Sequence, residues 1–195
     1  SGRFNFRLWQ EYADARYSHN DLGYFTNNNF LNYGTYMSYR IVKPKGWYNR
    51  VNFNFNASGS HLASRIGSIA TKYQFSNFNL NVNAQTKSLV FVGFFTGFNP
   101  PRNDFYEPRV EGQYLRRGSR VHGGLWLETN QAKKYSVYGE VFAARFINFY
   151  NTRFFEAYLT QTYRFSSKFS ISYQMSMEPV RDGIGYAGQL SSGKV

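Results

Sequence analysis

The strongest constraint on the fold is a strict alternation of apolar and polar residues on either side of a Lys-Pro-Lys-Gly turn at residues 43–46. The apolar set after the turn is Val51, Phe53, Phe55 and Ala57, and the polar set is Asn52, Asn54, Asn56 and Ser58. Because successive side chains of a strand point to opposite faces, this segment predicts a β-hairpin with one apolar and one asparagine-bearing face. That arrangement is typical of a transmembrane β-barrel wall.

The same alternation recurs along most of the chain. Strands are predicted near 4–12, 31–42, 47–58, 65–75, 78–85, 88–98, 120–130 and 135–147, with a final pair on either side of 166–168. Such lengths suit tilted membrane-crossing strands, whereas soluble strands average about five to six residues. We therefore predict an all-β, antiparallel up-and-down transmembrane β-barrel, with residues 1–195 as a single incomplete domain of about nine strands. Alternation alone leaves open a soluble barrel with an apolar interior.

The predicted connections alternate between short and long. Tight turns are expected at 43–46, 76–77, 131–134 and 166–168, and longer loops at 13–30, 59–64, 99–119 and 148–152. Short turns at one rim and long loops at the other are typical of bacterial outer-membrane barrels. Aromatic residues flank the tight turns and predict a girdle at the membrane interface. The predicted girdle is Tyr39, Trp47, Tyr73, Phe78, Trp126, Tyr135, Phe165 and Phe169.

Composition excludes several classes of protein. Aromatic residues make up 21% of the chain, yet its mean hydropathy is -0.54 and no apolar run approaches the length of a spanning helix. The chain has no cysteine, which excludes disulfides and cysteine-ligated metals. Its net charge of +12 is scattered through turns and strand ends. We therefore expect anionic lipid, lipopolysaccharide or acidic glycans as partners, and no nucleic acid.

Amide side chains are candidates for lining a lumen. The predicted lining is Asn52, Asn54, Asn56, Asn79, Asn81, Asn83, Gln174 and Glu178. These asparagines could instead form hydrogen-bonded ladders that fill the interior. Bulky residues such as Tyr36, Tyr138 and Phe142 would narrow the bore if they point inward.

Charged residues cluster in the longest connection and beside it. Arg116, Arg117 and Arg120 could contact phosphates of lipopolysaccharide or an acidic glycan through paired hydrogen bonds, or could be a solvated strand end. Opposite charges also crowd together at Arg102, Asp104, Glu107 and Arg109. Such a loop either binds a glycan or another partner, or its opposite charges form ion pairs with one another.

Candidates for catalysis are sparse. His19, His61 and His122 are the only histidines. An embedded hydrolase is a remote alternative, with His19 near Asp14 and Asp21 or with His122 beside Ser119. No spacing implies such a pair, so we expect no enzyme activity, cofactor or metal.

Several rim and turn motifs carry a family resemblance. They are residues 20–24, 28–34, 43–46, 104–109 and 123–126. In these motifs the chain resembles the C-terminal barrel of a Bacteroidota outer-membrane family of unknown function, whose members begin with a carbohydrate-binding family 9-like module. The resemblance implies an outer-membrane location and a link to saccharides.

The ends of the chain suggest a piece of a longer protein. It opens without a signal peptide, and residues 190–195 are polar where an outer-membrane barrel normally ends on an apolar strand. We expect the missing strands to come from the same polypeptide. Two functions remain open: a barrel that transports or binds saccharides, and a structural subunit of a larger outer-membrane complex.

Overall fold

The computed structural model describes residues 3–17, 28–67, 70–108, 113–148 and 151–182. This part of the chain is all-β, and no helix in it is long and apolar enough to cross a membrane. His19, Arg109 and the whole motif at 20–24, with Asp21, lie outside the described residues. The strands are β1 (Phe4–Ala13), β2 (Phe30–Ile41), β3 (Tyr48–Leu62), β4 (Tyr73–Thr86), β5 (Phe91–Asn99), β6 (Arg102–Asp104), β7 (Leu115–Arg117), β8 (Ser119–Glu128), β9 (Tyr135–Ile147), β10 (Arg153–Arg164), β11 (Ser170–Met177) and β12 (Val180–Arg181).

The main sheet has ten strands and follows chain order. Its path is β1-β2-β3-β4-β5-β8-β9-β10-β11, and every pairing between neighbours is antiparallel. β12 resumes the pairing of β11 with β10 after a break at Glu178 and Pro179, and β6 and β7 form a small separate sheet. The predicted all-β, antiparallel, up-and-down architecture is confirmed.

One predicted turn is wrong. A strand near 65–75 and a turn at 76–77 were expected, but β4 begins only at Tyr73 and runs unbroken past 76–77, with Ser76 opposite Gly59 and Asn77 opposite Ser58. The turn lies instead between Thr86 and Val90, where the Val90 carbonyl accepts a hydrogen bond from Thr86 N at 2.8 Å. Leu89 takes a positive φ of 61° there, a conformation usually left to glycine or asparagine. The turn therefore lacks the glycine, proline or asparagine that most often signals a turn in a sequence.

With this correction, short and long connections alternate along the whole sheet. Residues 42–47, 87–90, 129–134 and 165–169 join strands at one end, which we call the short-turn end. Residues 14–29, 63–72, 100–118 and 148–152 join them at the other, the long-connection end. The short turns also bond to neighbouring segments. Lys87 N donates to Trp47 O of the adjacent turn, and Arg164 N at the end of β10 donates to Lys134 O.

The register divides the sheet into two chemically different faces. Directly opposed residues share a face, and one such row runs Phe6, Met37, Phe55, Leu80 and Thr96 across five strands. This face, which we call the apolar face, carries the aromatic and aliphatic residues of the alternating pattern. The opposite face carries amides, glycines and a second set of aromatic rings, and we call it the mixed face.

Little of the apolar side-chain surface is buried. The buried apolar residues of the described chain are Ala13, Val51, Leu62, Ala84, Phe105 and Ala144, half of them alanine. In contrast, Phe6, Phe53, Leu125 and Met175 of the apolar face are 36% exposed or more. The two faces of the sheet therefore do not enclose a conventional hydrophobic core.

The sheet is open. β1 pairs only with β2, and β11 pairs only with β10, within the described residues. The strands were predicted not to close into a ring, which would require residues 4–12 to pair with 169–178. This prediction is confirmed. The described strands therefore form an open antiparallel sheet and not a closed barrel.

Candidate ligand-binding face

Asparagines of β3 and β4 face each other in pairs on the mixed face. Asn52 lies opposite Asn83, Asn54 opposite Asn81, and Asn56 opposite Asn79. The pairing follows from the sequence, because both strands carry asparagine at every second position. The six asparagines predicted to line a lumen therefore do share one face.

These amides bond largely to one another and to their neighbours. Asn52 Nδ2 donates to Asn83 Oδ1 at 2.8 Å, and Tyr36 Oη donates to Asn54 Oδ1 at 2.8 Å. Asn81 donates to Asn79, and Asn79 Nδ2 donates to the Thr96 carbonyl at 3.3 Å. The amides of β3 and β4 therefore bond to one another and to neighbouring groups, and each keeps further donor and acceptor capacity.

The remaining predicted lining residues lie at the sheet edge. Gln174 is opposite Thr160 on the mixed face of β11 and is exposed. Glu178 lies in the break between β11 and β12 and is also exposed. They are therefore separated from the β3–β4 amides by most of the width of the sheet.

Aromatic rings and glycines occupy the other half of the mixed face, on β5 and β8–β10. Trp126 lies over Gly93, where an added Cβ would be 2.5 Å from Trp126 Nε1. Phe95 lies over Gly124 in the same way and stacks on Phe142 with centroids 5.9 Å apart. The glycines leave room for rings to lie flat across the neighbouring strand, an arrangement that also pins its register.

The bulky residues expected to narrow a bore are all on this face. Tyr36, Tyr138 and Phe142 occupy mixed-face positions of β2 and β9. Phe142 also contacts Phe154 edge-to-face at 5.5 Å, and Tyr138 contacts Tyr158 at 5.8 Å. One half of the mixed face is consequently lined by amides and the other by rings.

An arginine cluster lies at the long-connection end of the mixed face. Arg120 is opposite Asn99 in the β5–β8 ladder, and Arg102 is opposite Arg117 in the β6–β7 hairpin that follows. Pro100 and Pro101 interrupt pairing between the two ladders, as expected of residues that cannot donate a backbone hydrogen bond. We call Arg102, Arg117 and Arg120 the arginine cluster.

Acidic residues neutralise only one member of the arginine cluster. Arg117 Nε lies 3.4 Å from Asp104 Oδ2, and Arg117 Nη2 lies 3.5 Å from Glu107 Oε2. The alternative of a self-paired loop therefore holds for Arg117. Within the described residues, neither Arg102 nor Arg120 forms a salt bridge.

Burial and like charge perturb the groups of this connection. Burial, and then the neighbouring charge of Arg117, lower the pKa of Arg102, while Asp104 opposes this shift. Burial, and then the negative charge of Asp104, raise the pKa of the Tyr106 phenol. Perturbed groups of this kind are enriched at functional sites, although structural ion pairs produce them as well.

The three arginines predicted to contact lipid or glycan differ in their exposure and in the groups that they contact. Arg116 is exposed, whereas Arg117 is partly buried by its ion pairs. The Arg120 guanidinium lies over the rings of Phe142 and Phe146, at 5.7 and 5.9 Å from their centroids. The sequence alone does not bring Arg102 near Arg120, because their proximity depends on the bend after β5.

The predicted girdle residues occupy two ends and both faces of the sheet. Tyr39, Trp47, Tyr135, Phe165 and Phe169 are exposed at the short-turn end. With the turn at 87–90, Tyr73 and Phe78 lie towards the long-connection end instead. Trp126 lies on the mixed face, over Gly93.

The histidines form no catalytic pair in the described chain. Ser119 and His122 are three residues apart in β8 and point to opposite faces, so they cannot hydrogen-bond. His61 Nδ1 lies 3.2 Å from Tyr33 Oη and its ring contacts Tyr73, which places it in an aromatic group. No cluster that could hold a metal ion is present among the described residues.

One comparison with known proteins identifies a family. A family model described as a domain of unknown function, DUF5916, matches residues 1–195. No curated protein and no solved structure matches the chain.

Proposed function

We propose that this chain, which belongs to the family of the domain of unknown function DUF5916, forms part of the wall of a bacterial outer-membrane β-barrel. In this proposal the barrel transports or binds saccharides and catalyses no reaction. The apolar face contacts lipid, including lipopolysaccharide, and the mixed face lines the interior.

Exposure of the apolar face is the observation that supports this proposal most strongly. Leu125 is 61% exposed, Met175 is 53% exposed and Phe53 is 39% exposed, on strands spread across the sheet. Soluble monomers rarely expose contiguous apolar patches larger than a few hundred square ångströms. In hydrocarbon the same surface carries no penalty, so a membrane is the environment that suits it.

The open edges require further strands in such a wall. Each unpaired backbone group costs several kcal/mol in hydrocarbon, so a barrel must close. Single-chain bacterial barrels usually have an even number of strands. We propose that the strands flanking β1 and β11 come from the same polypeptide.

Two observations support the saccharide part. Asn54, Asn56 and Asn83 offer amide donors and acceptors on one face, which is the chemistry that hydroxyl-rich ligands need. The rim motifs also resemble the Bacteroidota family whose members carry a carbohydrate-binding family 9-like module. We propose that DUF5916 is that family and that its barrel works with saccharides.

A structural subunit of a larger outer-membrane complex is the second candidate. The ring-lined half of the mixed face, around Phe95, Phe142 and Phe154, favours a filled interior over an open channel. The apolar face also has an open depression of about 900 Å³ around Leu125, Gly139 and Leu159. Small residues there would allow another protein to approach the wall closely.

The membrane proposal and the transport proposal are tested separately. A membrane barrel should partition into detergent and migrate faster on an unboiled gel than after boiling. A protein that stays soluble without detergent would contradict the membrane wall. Single-channel recording of the complete protein then separates the two functions, because a closed record unaltered by oligosaccharide would contradict conduction and leave the structural subunit.

A further inference from the structure

We propose that the arginine cluster binds the carboxylate or sulfate of an acidic saccharide at the long-connection end of the mixed face. This rests on the proposed function and names its class of ligand. The proposed site has an anchored hairpin, two guanidinium groups that form no salt bridge among the described residues, and an adjoining floor of aromatic rings.

The hairpin that carries Arg102 and Arg117 is anchored at three points. Asn103 Nδ2 donates to the Tyr73 carbonyl of β4 at 2.9 Å. Phe105 is 6% exposed, and Tyr106 Oη donates to the Asn28 carbonyl at 2.7 Å. The guanidinium groups are therefore held against the sheet, which reduces the entropy that a ligand must overcome.

The cluster carries more positive than negative charge. Arg117 is shared by Asp104 and Glu107, and the charges of Arg102 and Arg120 act on each other. Arg120 Nε is buried and has no hydrogen-bond partner. Arg102 and Arg120 are partly buried and form no salt bridge among the described residues, although Asp104 acts favourably on Arg102. An oxyanion placed between the two cations would relieve their repulsion and accept from the unpartnered Arg120 Nε–H.

Aromatic rings adjoin the cations and extend along the sheet. The Arg120 guanidinium covers part of Phe142, which also contacts His122 and Phe95. His122 Nδ1 is buried without a hydrogen-bond partner. A flat apolar surface beside a cation suits a sugar ring that carries an acidic group, since the ring packs on the aromatic floor while the anion meets the arginines.

A phosphorylated lipid would offer the same anion chemistry from the other side. Lipid headgroups approach from the apolar face, whereas Arg120 and its ring partners are on the mixed face. This arrangement favours a soluble saccharide over lipopolysaccharide.

Calorimetric titration of the complete protein in neutral detergent tests the inference. The probes are trigalacturonate, neutral maltotriose and inorganic phosphate. We expect trigalacturonate to bind more tightly than either of the others and to weaken with added salt. Arg120→Gln and Arg102→Gln should each weaken it about tenfold, because each removes a charge-assisted hydrogen bond. Arg40→Gln makes the same charge change at the short-turn end of the mixed face and should have no effect.

Two readouts keep failures distinguishable. Every variant is first checked for heat-shifted migration, which reports the folded barrel independently of any ligand. If a variant that migrates normally binds trigalacturonate as tightly as the unmodified protein, the site is wrong. Equal affinity for maltotriose, or for phosphate alone, would overturn the acidic saccharide as ligand while leaving the barrel wall intact. If phosphatidylglycerol added to the micelles abolishes trigalacturonate binding, the arginine cluster binds a lipid phosphate and not a soluble saccharide.

Discussion

At the scale of single residues, Asn29 ties the long connections together. Its side chain is buried and its Oδ1 accepts from Ser64 N at 2.7 Å and from Ser64 Oγ at 2.8 Å. Its backbone N donates to the Asp14 carbonyl, and its own carbonyl accepts from Ala63 N. A positive φ of 57° makes this possible, a conformation that asparagine tolerates better than most residues.

Replacing Asn29 should therefore destabilise the long-connection end. Asn29→Ala loses the bonds to Ser64 and adds backbone strain, which together should cost about 3 kcal/mol of unfolding free energy. Asn29→Gly keeps the conformation and should cost about half as much. Denaturant titration followed by tryptophan fluorescence measures both. Equal losses for the two variants would show that strain contributes nothing.

The contact between Gly93 and the ring of Trp126 gives a second prediction at the scale of single residues. An added Cβ at Gly93 would meet Trp126 at 2.5 Å, whereas at Gly139 the nearest side-chain atom, Leu159 Cδ1, is 3.8 Å away. Gly93→Ala should cost about 1 to 3 kcal/mol by overpacking and shift Trp126 fluorescence. Gly139→Ala, the matched control, should be neutral or slightly stabilising. A neutral Gly93→Ala would show that Trp126 does not lie on β5.

At the scale of elements, the predictability of each strand depended on its local signals. β3 was predicted well because asparagine and aromatic residues alternate without a break up to residue 57. β4 was split in error because Ser76 and Asn77 look like a turn, while the true turn around Leu89 lacks glycine and asparagine. The facing asparagines were predictable from alternation. Arg102 beside Arg120 was not, because the bend after β5 brings them together.

The unusual turn between β4 and β5 offers a prediction at this scale. Leu89 is 43% exposed and has a positive φ, so Leu89→Gly removes strain at little cost in burial. It should stabilise the protein by up to about 1 kcal/mol. Ser88→Gly, one residue earlier, relieves no such strain and should destabilise by about 0.5 to 1 kcal/mol. Thermal unfolding of both variants measures the difference, and a destabilised Leu89→Gly would contradict the turn conformation.

At the scale of the whole molecule, the two faces of the sheet differ in chemistry. A row of lipophilic side chains crosses the sheet on one side, and amides, rings and the arginine cluster occupy the other. A soluble fold would bury the apolar row in a core, yet the large apolar-face residues are among the most exposed. Charged substitutions on each face report which of them meets hydrocarbon.

Arginine scanning of the two faces supplies that test. Leu125 is 61% exposed near the middle of β8, between Phe94 and Val141. If that face meets water, Leu125→Arg should change stability by less than about 0.5 kcal/mol. If it meets hydrocarbon, the same change should cost about 2 to 4 kcal/mol and sharply reduce folding into vesicles, scored by heat-shifted migration.

The matched control is Gln174→Arg on the mixed face of β11, where an interior surface should accept the charge. A tolerated Leu125→Arg together with a damaging Gln174→Arg would reverse the assignment of the faces, because the lipid would then have to lie against the asparagines.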